Sequence, residues 1–187
     1  SIAYNRSMVF LKAGEALTIY ANFTETGSGI SESSVKIRIL TQGDGGLTNH
    51  SMQRMNNLHW YYPWTVPSGQ DDDGVVHVDI YAVDNASNPL TPYPTIDSTK
   101  TIDNAEPTSQ VTLIAGYWKT SSPFTLSYTA SDPVDGSGLH NCTLYSRYSA
   151  DNHTWGGWVP WAVDTDPWTT TQWSIPFSNG TGHYEFY

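Results

Sequence analysis

Acidic side chains are the residues of this 187-residue chain with the clearest potential for chemistry. The densest group is the run Asp71-Asp72-Asp73-Gly74. Carboxylates are the hard oxygen ligands that Ca²⁺ prefers. The run lacks the alternating spacing of an EF-hand loop, and three carboxylates beside a glycine are also typical of a solvated hairpin turn. Asp71 and Asp73 are therefore either calcium ligands or turn residues, and the spacing favours the turn.

A second candidate calcium site combines two Asp-Asn pairs, Asp84 with Asn85 and Asp103 with Asn104. The second pair lies where the sequence predicts a junction between two domains. A divalent cation held by oxygen ligands would stiffen such a junction. Calcium is the one cofactor that the sequence suggests, and a chain without any cofactor is the alternative.

Tryptophans are concentrated in the second half of the chain, where Trp155, Trp158 and Trp161 follow one another at intervals of three. The flat face of an exposed indole can stack on a sugar ring, so these side chains could form a carbohydrate-binding surface. Buried tryptophan is equally ordinary in a small β-sandwich core, because aromatic side chains bury large areas. We favour core or interface packing over sugar binding.

No set of residues predicts catalysis. The six histidines are scattered along the chain, and the HExxH and GxSxG motifs do not occur. His77 and His183 occupy equivalent positions of an internal repeat, which indicates a structural role. The sequence therefore predicts a protein that is not an enzyme.

Seven N-x-S/T sequons indicate a glycosylated, extracellular or cell-surface protein. None has proline at the middle position, and asparagine in this context accepts N-glycans on surface loops of secreted proteins. The alternative is that a chain rich in Ser and Thr forms sequons by chance. The candidate glycan acceptors are Asn5, Asn22, Asn49, Asn85, Asn141, Asn152 and Asn179.

Charge and composition narrow the classes of partner. The formal net charge is −10, which argues against nucleic acid because affinity for nucleic acid depends on neutralising phosphates. The single cysteine, Cys142, excludes an internal disulfide. No apolar run reaches 18 residues, so the sequence predicts no transmembrane segment in this chain.

The elements that must position these residues are short β-strands. Apolar and polar residues alternate in Ala16 to Phe23, Val35 to Ile39, Val75 to Tyr81, Phe124 to Thr129 and Cys142 to Ser146. Turn residues interrupt the chain about every 8 to 15 residues, and a period of two with frequent turns is typical of a sandwich or barrel. The sequence therefore predicts an all-β fold.

An internal repeat predicts two domains in tandem. The stretch from Leu17 and the stretch from Phe124 both run strand, polar turn, Gly-Ser-Gly, apolar residue, strand. Their separation matches one immunoglobulin-sized module of about 100 residues. We expect one β-sandwich at residues 1–106 and a second at 107–187.

Three short motifs resemble the tandem Ig-like repeats of bacterial and archaeal cell-surface proteins of the surface-layer, adhesin or filament type. The stretch 131–139 is similar to the S-D-x-x-S-G-[IL] corner of those repeats, and 82–88 to their A-x-D-x-A-G-N turn, with Ser87 where glycine is usual. The exit at 101–107 is similar to their linkers. This resemblance implies Ig-like or fibronectin-III-like sandwiches at the cell surface.

The two ends of the sequence predict how copies meet. By the repeat, Tyr187 lies inside the sixth strand of the second sandwich, so we expect this sandwich to lack its final strand. Residues 1–6 are interpreted as a donated strand or the continuation of a preceding module, which makes Ser1, Ile2, Ala3, Tyr4, Tyr184 and Phe186 the candidate assembly residues. A truncated fragment is the alternative.

These observations predict a structural subunit or repeat unit of a glycosylated extracellular filament, stalk or surface layer. Its partners would be neighbouring copies of itself, assembled head to tail by N-terminal strand donation, since a head-to-tail contact that does not close makes a filament. The alternative is an adhesin or a carbohydrate-binding accessory module of a secreted protein.

Overall fold

The computed structural model describes residues 1–43, 48–91, 94–133 and 136–187. Apart from two short 3-10 turns at Glu32–Ser34 and Gln70–Asp72, the elements it describes are β-strands, which confirms the predicted all-β fold. Two compact units form, and the change from one to the other along the chain falls between Ala105 and Glu106. Residues 134 and 135 of the predicted second corner lie outside the described residues.

The first unit is a sandwich of two sheets. One sheet has the strand order β1-β3-β7-β6 and the other the order β2-β9-β8-β4-β5. Pairing is antiparallel except between β2 and β9, which are parallel. The strands are β1 (Ile2–Tyr4), β2 (Phe10–Leu11), β3 (Ala16–Asn22), β4 (Lys36–Leu40), β5 (His50–Ser51), β6 (Gln53–Arg54), β7 (His59–Thr65), β8 (Gly74–Tyr81) and β9 (Thr95–Ile102).

The core of the first unit follows from the alternation along its strands. Successive side chains of a strand point to opposite faces, so every second residue enters the space between the sheets. Leu17, Ile19 and Ala21 of β3 are buried, as are Ile37 of β4 and Ile80 of β8. The period-two pattern thus allows the two sheets of this unit to pack face to face.

The second unit is also a sandwich, with the sheets β10-β11-β14 and β13-β12-β15. In the first unit β8 lies between β4 and β9, whereas its counterpart β15 pairs with β12 alone among the described strands. Among the described strands, the second unit therefore has no counterpart of β9 beside β15. The strands are β10 (Thr108–Val111), β11 (Phe124–Ser131), β12 (Cys142–Ser149), β13 (Val159–Asp164), β14 (Gln172–Ile175) and β15 (His183–Phe186).

Two ion pairs show that β8 and β15 are equivalent strands. Arg38 of β4 pairs with Asp79, which lies opposite it on β8. Arg147 of β12 pairs in the same way with Glu185, which lies opposite it on β15. The arginine and the carboxylate occupy the same register in each unit, so Asp79 of β8 corresponds to Glu185 of β15.

The N-terminal strand β1 lies in the first unit's own sheet. Ile2 is opposite Ala21 of β3, and the Asn22 N–H donates to the carbonyl of Ser1 at 2.8 Å. Ala3 lies opposite Tyr20 in the same ladder. The segment for which donation is predicted is therefore docked on its own sandwich in this structure.

A buried lysine holds this segment in place. Lys100 of β9 is 5% exposed, and its Nζ donates to the carbonyls of Arg6 and Met8. The same ammonium lies 4.8 Å from the ring centroid of Tyr4, whose hydroxyl donates to Asp97 Oδ1 at 2.8 Å. Burial, followed by the hydrogen bond to Asp97, raises the pKa of Tyr4 far above its usual value. These contacts tie residues 4–8 to β9.

We expect Lys100→Met to lower the free energy of unfolding of the first unit by about 2 kcal/mol, because the carbonyls of Arg6 and Met8 lose a charged donor. Denaturant titration of the full chain measures this change. Lys12→Met is the matched control, since Lys12 is exposed and loses the same charge. Equal effects of the two substitutions would contradict the role of Lys100.

The turn after β8 contains a residue in the left-handed region. Ser87 has φ +68°, at the position where the related turns carry glycine. Non-glycine residues are disfavoured there because Cβ crowds the backbone. Gly29 and Gly138 in the two Gly-Ser-Gly corners also have positive φ, +80° and +86°. Glycine is thus used at the corners, whereas serine is strained in the turn.

Ser87→Gly should therefore stabilise the first unit by about 1 kcal/mol, as the Cβ conflict disappears. Thermal or denaturant unfolding of the full chain measures the gain. Ser7→Gly, at an exposed position without positive φ, should give no gain and controls for the added backbone freedom. A loss of stability in Ser87→Gly would rule out strain at this turn.

Candidate functional site

The Asp84 side chain caps its own turn. Its Oδ1 accepts the N–H groups of Ala86 at 2.9 Å and Asn88 at 2.7 Å, and its Oδ2 accepts the Asn88 amide. These hydrogen bonds, above all those from Asn88, hold the pKa of Asp84 below its ordinary value. Asn85 donates from Nδ2 to the carbonyl of Ser28 at 2.8 Å. Both side chains are used to hold the turn.

Asp73 and Asn104 meet at the other end of the sandwich. The Asn104 N–H donates to Asp73 Oδ1 at 3.0 Å, and Asn104 Oδ1 accepts the N–H of Ala13 at 2.7 Å. Asn104 Nδ2 donates to the carbonyl of Gly69 at 3.2 Å. Asp71 is exposed in the neighbouring 3-10 turn. These contacts tie the loop before β8 to the chain after β9.

The strand register corrects the prediction that Asp84, Asn85, Asp103 and Asn104 form one calcium site, because it separates the two pairs. Strands β8 and β9 are antiparallel, with the start of β8 opposite the end of β9. The first pair follows β8 and the second follows β9, so the pairs lie at opposite ends of an eight-residue hairpin, about 25 Å apart. Within the described part of the chain, no three His, Cys, Asp or Glu side chains group as metal ligands.

Six of the seven sequon asparagines are exposed. The exception is Asn22, which is half-buried and places Oδ1 2.6 Å from His59 Nδ1. Asn5 is exposed but uses Oδ1 to accept the N–H of Thr18 at 2.8 Å. An N-glycan needs an accessible asparagine, so Asn49, Asn141, Asn152 and Asn179 are the least encumbered acceptors.

The tryptophans proposed for sugar stacking make protein contacts. The Arg147 guanidinium lies 4.8 Å from the ring of Trp155 and 4.8 Å from the ring of Trp158. Trp158 also meets Tyr187 edge to face at 6.1 Å, and Trp161 packs against the core of the second unit. A sugar would have to compete with these contacts, which favours the packing interpretation.

The outer edge of β15 carries unpaired backbone groups. Tyr187 exchanges both N–H···O bonds with Tyr145 of β12. Antiparallel strands alternate between bonded and non-bonded pairs, so the N–H and C=O groups of Tyr184 and Phe186 point away from β12. The equivalent outward groups of β8 are covered by β9. The two candidate assembly residues near the C-terminus thus lie at an open sheet edge.

An aromatic groove of about 940 Å³ lies beside this edge. Phe124 of β11 lies 5.9 Å from Phe186, and Phe177 lies 5.7 Å from Tyr184. Leu126, Leu144 and Ile175 form the buried cluster of this unit's core, and the half-buried rings of Phe124, Trp161, Trp173 and Phe186 pack against it. The groove is therefore the open side of the second core.

The far wall of the groove is the connection between β10 and β11. Tyr117 in this connection places its hydroxyl 3.1 Å from His183 Nδ1, and its ring packs edge to face on Trp118. Sequence reasoning missed both residues, and also Phe124 and Phe177. For Tyr117 and Trp118 the available signal was their position just before the repeat's first strand, where the first unit carries the pair Phe10-Leu11.

The hairpin between β12 and β13 borders the groove through Asn152 and Trp155. Asp151 Oδ1 accepts the N–H groups of Thr154 at 2.8 Å and His153 at 2.9 Å. These bonds, with that from the Ser149 hydroxyl, lower the pKa of Asp151 to about 2. The ionised carboxylate therefore orders the turn.

A group with a depressed folded-state pKa stabilises the fold above its unfolded pKa of about 3.9 and loses this effect as the pH falls through about 2. The amide chemical shifts of His153 and Thr154 should therefore change little between about pH 5 and about pH 3. NMR titration tests this, and Asp151→Asn should shift both amides at every pH. A midpoint near 3.9 would contradict the assignment.

Comparison with known proteins gives weak likenesses. No family model matches the chain, and no curated protein is significantly similar to it. It resembles the fibronectin(III)-like modules of Clostridium thermocellum CbhA, with TM-score 0.34, 11% identity, and coverage of 94% of this chain and 78% of that one. It also resembles Escherichia coli alpha-2-macroglobulin activated by porcine elastase, with TM-score 0.38, 10% identity, and coverage of 100% and 19%. The sandwich assignment therefore depends on the strand order described above.

No helix in the described residues has the length and apolar character needed to cross a membrane.

Proposed function

We propose that this chain is a non-catalytic structural subunit of a glycosylated extracellular assembly, and that copies join head to tail by β-strand donation. The acceptor is the outer edge of β15 in the second sandwich. The donor is the N-terminal segment of a neighbouring copy. The observation that carries this proposal is the open edge of β15 beside an aromatic groove. At the equivalent place in the first unit, β9 pairs with β8.

The likeness of the N-terminal segment to β9 supports its role as the donor. Residues 1–8, Ser-Ile-Ala-Tyr-Asn-Arg-Ser-Met, align without gaps on β9, Thr-Ile-Asp-Ser-Thr-Lys-Thr-Ile. Hydroxyl, aliphatic and basic residues recur at the same places, with Arg6 at the position of Lys100 and Met8 at that of Ile102. A neighbour's residues 1–8 could therefore take the place next to β15 that β9 takes next to β8.

The exposure of the N-terminal segment also supports its exchange. In its docked position Met8 is 50% exposed and Val9 53% exposed, whereas Ile102 is fully buried in β9. Transfer to the groove would bury Met8 and pair the edge of β15. It would also remove β1 from its own sheet and break the contacts of Lys100, so association should be reversible and concentration-dependent.

Pairing of two β15 edges across a two-fold axis is the competing arrangement, and charge disfavours it. The outward groups of Tyr184 and Phe186 would pair with those of the second copy, which places the two Glu185 side chains opposite each other. Like charges directly opposite in a sheet are destabilising. Donation of an uncharged or basic segment avoids this repulsion.

A peptide of residues 1–9 added to the full chain should slow hydrogen exchange of the Tyr184 and Phe186 amides, because they gain backbone acceptors. Tyr184→Pro removes one of these donors without touching the bonds to β12, and should weaken peptide binding at least about tenfold. Exchange-detected NMR and calorimetry measure the two effects. Tyr184→Phe keeps the ring and the N–H and should bind like the parent chain.

Ser109→Pro is the matched control on an edge strand of the other sheet of the second unit. Ser109 is exposed on β10, and the bond from the Thr112 N–H to Ser127 places the Ser109 N–H away from β11. This variant should bind the peptide normally and should self-associate like the parent chain in sedimentation experiments. Absence of protection at Tyr184 and Phe186 under saturating peptide would overturn the proposal.

A further inference from the structure

The connection before β11 contains an unpartnered copy of strand β2. In the first unit Phe10-Leu11-Lys12 precedes β3, and Phe10 and Leu11 pair in parallel with Thr101 and Ile102 of β9. In the second unit Tyr117-Trp118-Lys119 precedes β11 at the matching place in the repeat. No strand assignment covers these residues, since the strand they would pair with does not occupy the groove.

Exposure shows what this lack of a partner does to the side chains. Leu11 is 2% exposed in the first unit, whereas Trp118 is 77% exposed and Tyr117 is 72% exposed. Leu113, earlier in the same connection, is 96% exposed. Large apolar side chains grouped at a groove wall are typical of an interaction site. At the equivalent position of the first unit, β9 pairs with Phe10 and Leu11, and the Leu11 side chain is buried.

In the second unit, Lys119 makes the contact that corresponds to the contact of Lys100 in the first unit. In the first unit the carbonyl of Met8, two residues before Phe10, accepts the Lys100 ammonium of β9. In the second unit the carbonyl of Ala115, two residues before Tyr117, accepts Lys119 Nζ instead. The carbonyl that would receive a basic residue of the incoming strand is thus held by a residue of the connection itself.

We propose that residues 115–118 are a clasp that closes over the donated strand, pairs with it in parallel, and selects a strand with a basic residue two places before an aliphatic one. This inference rests on the proposed function and adds the register in which the donated strand pairs. Arg6 of the donor replaces Lys119 at the Ala115 carbonyl, and Met8 packs beneath Trp118. The donated strand then has β15 on one side and the clasp on the other.

The register follows from the pairing of β8 with β9. Val78 lies opposite Asp97, and Ile80 lies opposite Thr95. The corresponding pairs are Tyr184 with Ala3 and Phe186 with Ser1 of the donor. Arg6 then falls opposite Gly182, as Lys100 lies opposite Val76 in the first unit. A shift by one residue would turn Arg6 and Met8 to the opposite face.

Two substitutions at Trp118 test the clasp. Trp118→Leu reproduces Leu11 of the first unit and should bind the 1–9 peptide within about threefold of the parent chain, whereas Trp118→Asp should lose at least about tenfold. The amides of Gly116 to Trp118 should become protected when the peptide binds. Trp118 is exposed in the free chain, so neither substitution should alter its unfolding transition.

Peptide variants test the selection. Arg6→Met in the peptide should weaken binding about tenfold, and Arg6→Lys should restore it, because either cation can donate to the Ala115 carbonyl. Lys119→Met in the chain should strengthen binding, as the competing donor is gone.

The experiments can refute strand addition to β15 and the clasp separately. If the peptide protects Tyr184 and Phe186 but binds Trp118→Asp and the parent chain equally, the clasp is wrong and strand addition stands. If neither set of amides is protected, strand addition itself is wrong. Equal binding of the Arg6→Met peptide would overturn the selection for a basic residue.

Discussion

Every strand at the edge of a sheet leaves alternate backbone N–H and C=O groups without a partner, and the arrangement of this chain depends on how each edge is covered. In the first sandwich, β9 covers β8 and β2 covers β9, so the strand that carries Asp79 is paired on both sides. The buried Lys100 then ties the N-terminal segment to the same sheet. Backbone pairing and one buried cation therefore close the first core.

The second sandwich is built on the same register but lacks this cover. Its Arg147–Glu185 pair repeats Arg38–Asp79, which fixes β15 next to β12. Without a strand in the place of β9, the side chains that should be core remain half-buried, and the pair Tyr117-Trp118 remains in solvent. The open edge, the aromatic groove and the exposed connection all lie at the position that corresponds to β9 in the first unit.

The sequence predicts what is local and misses what depends on distant pairing. Alternation alone locates β3, β4, β8, β11 and β12, because burial of one face enforces a period of two. It does not reveal β7, whose Pro63 argues against a central strand. The structure explains this residue: β6 pairs only with Trp60 and Tyr61, so Pro63 faces an uncovered stretch of edge. The sequence also does not show that Asp84 and Asp103 lie at opposite ends of the β8–β9 hairpin, since their separation depends on strand direction, which local composition does not encode.

The N-terminal segment is the most instructive case, because its sequence fits two positions. Docked beside β3 it satisfies Lys100, but it leaves Met8 and Val9 half exposed. Aligned on β9 it matches a strand whose corresponding residue, Ile102, is fully buried. In the proposed exchange, the segment would give up the β1 pairing and the Lys100 contacts of its own sandwich in return for a place in a neighbour's groove. Assembly would then be controlled by the difference in free energy between these two β-pairings, and the contacts of Lys100 would favour the docked position.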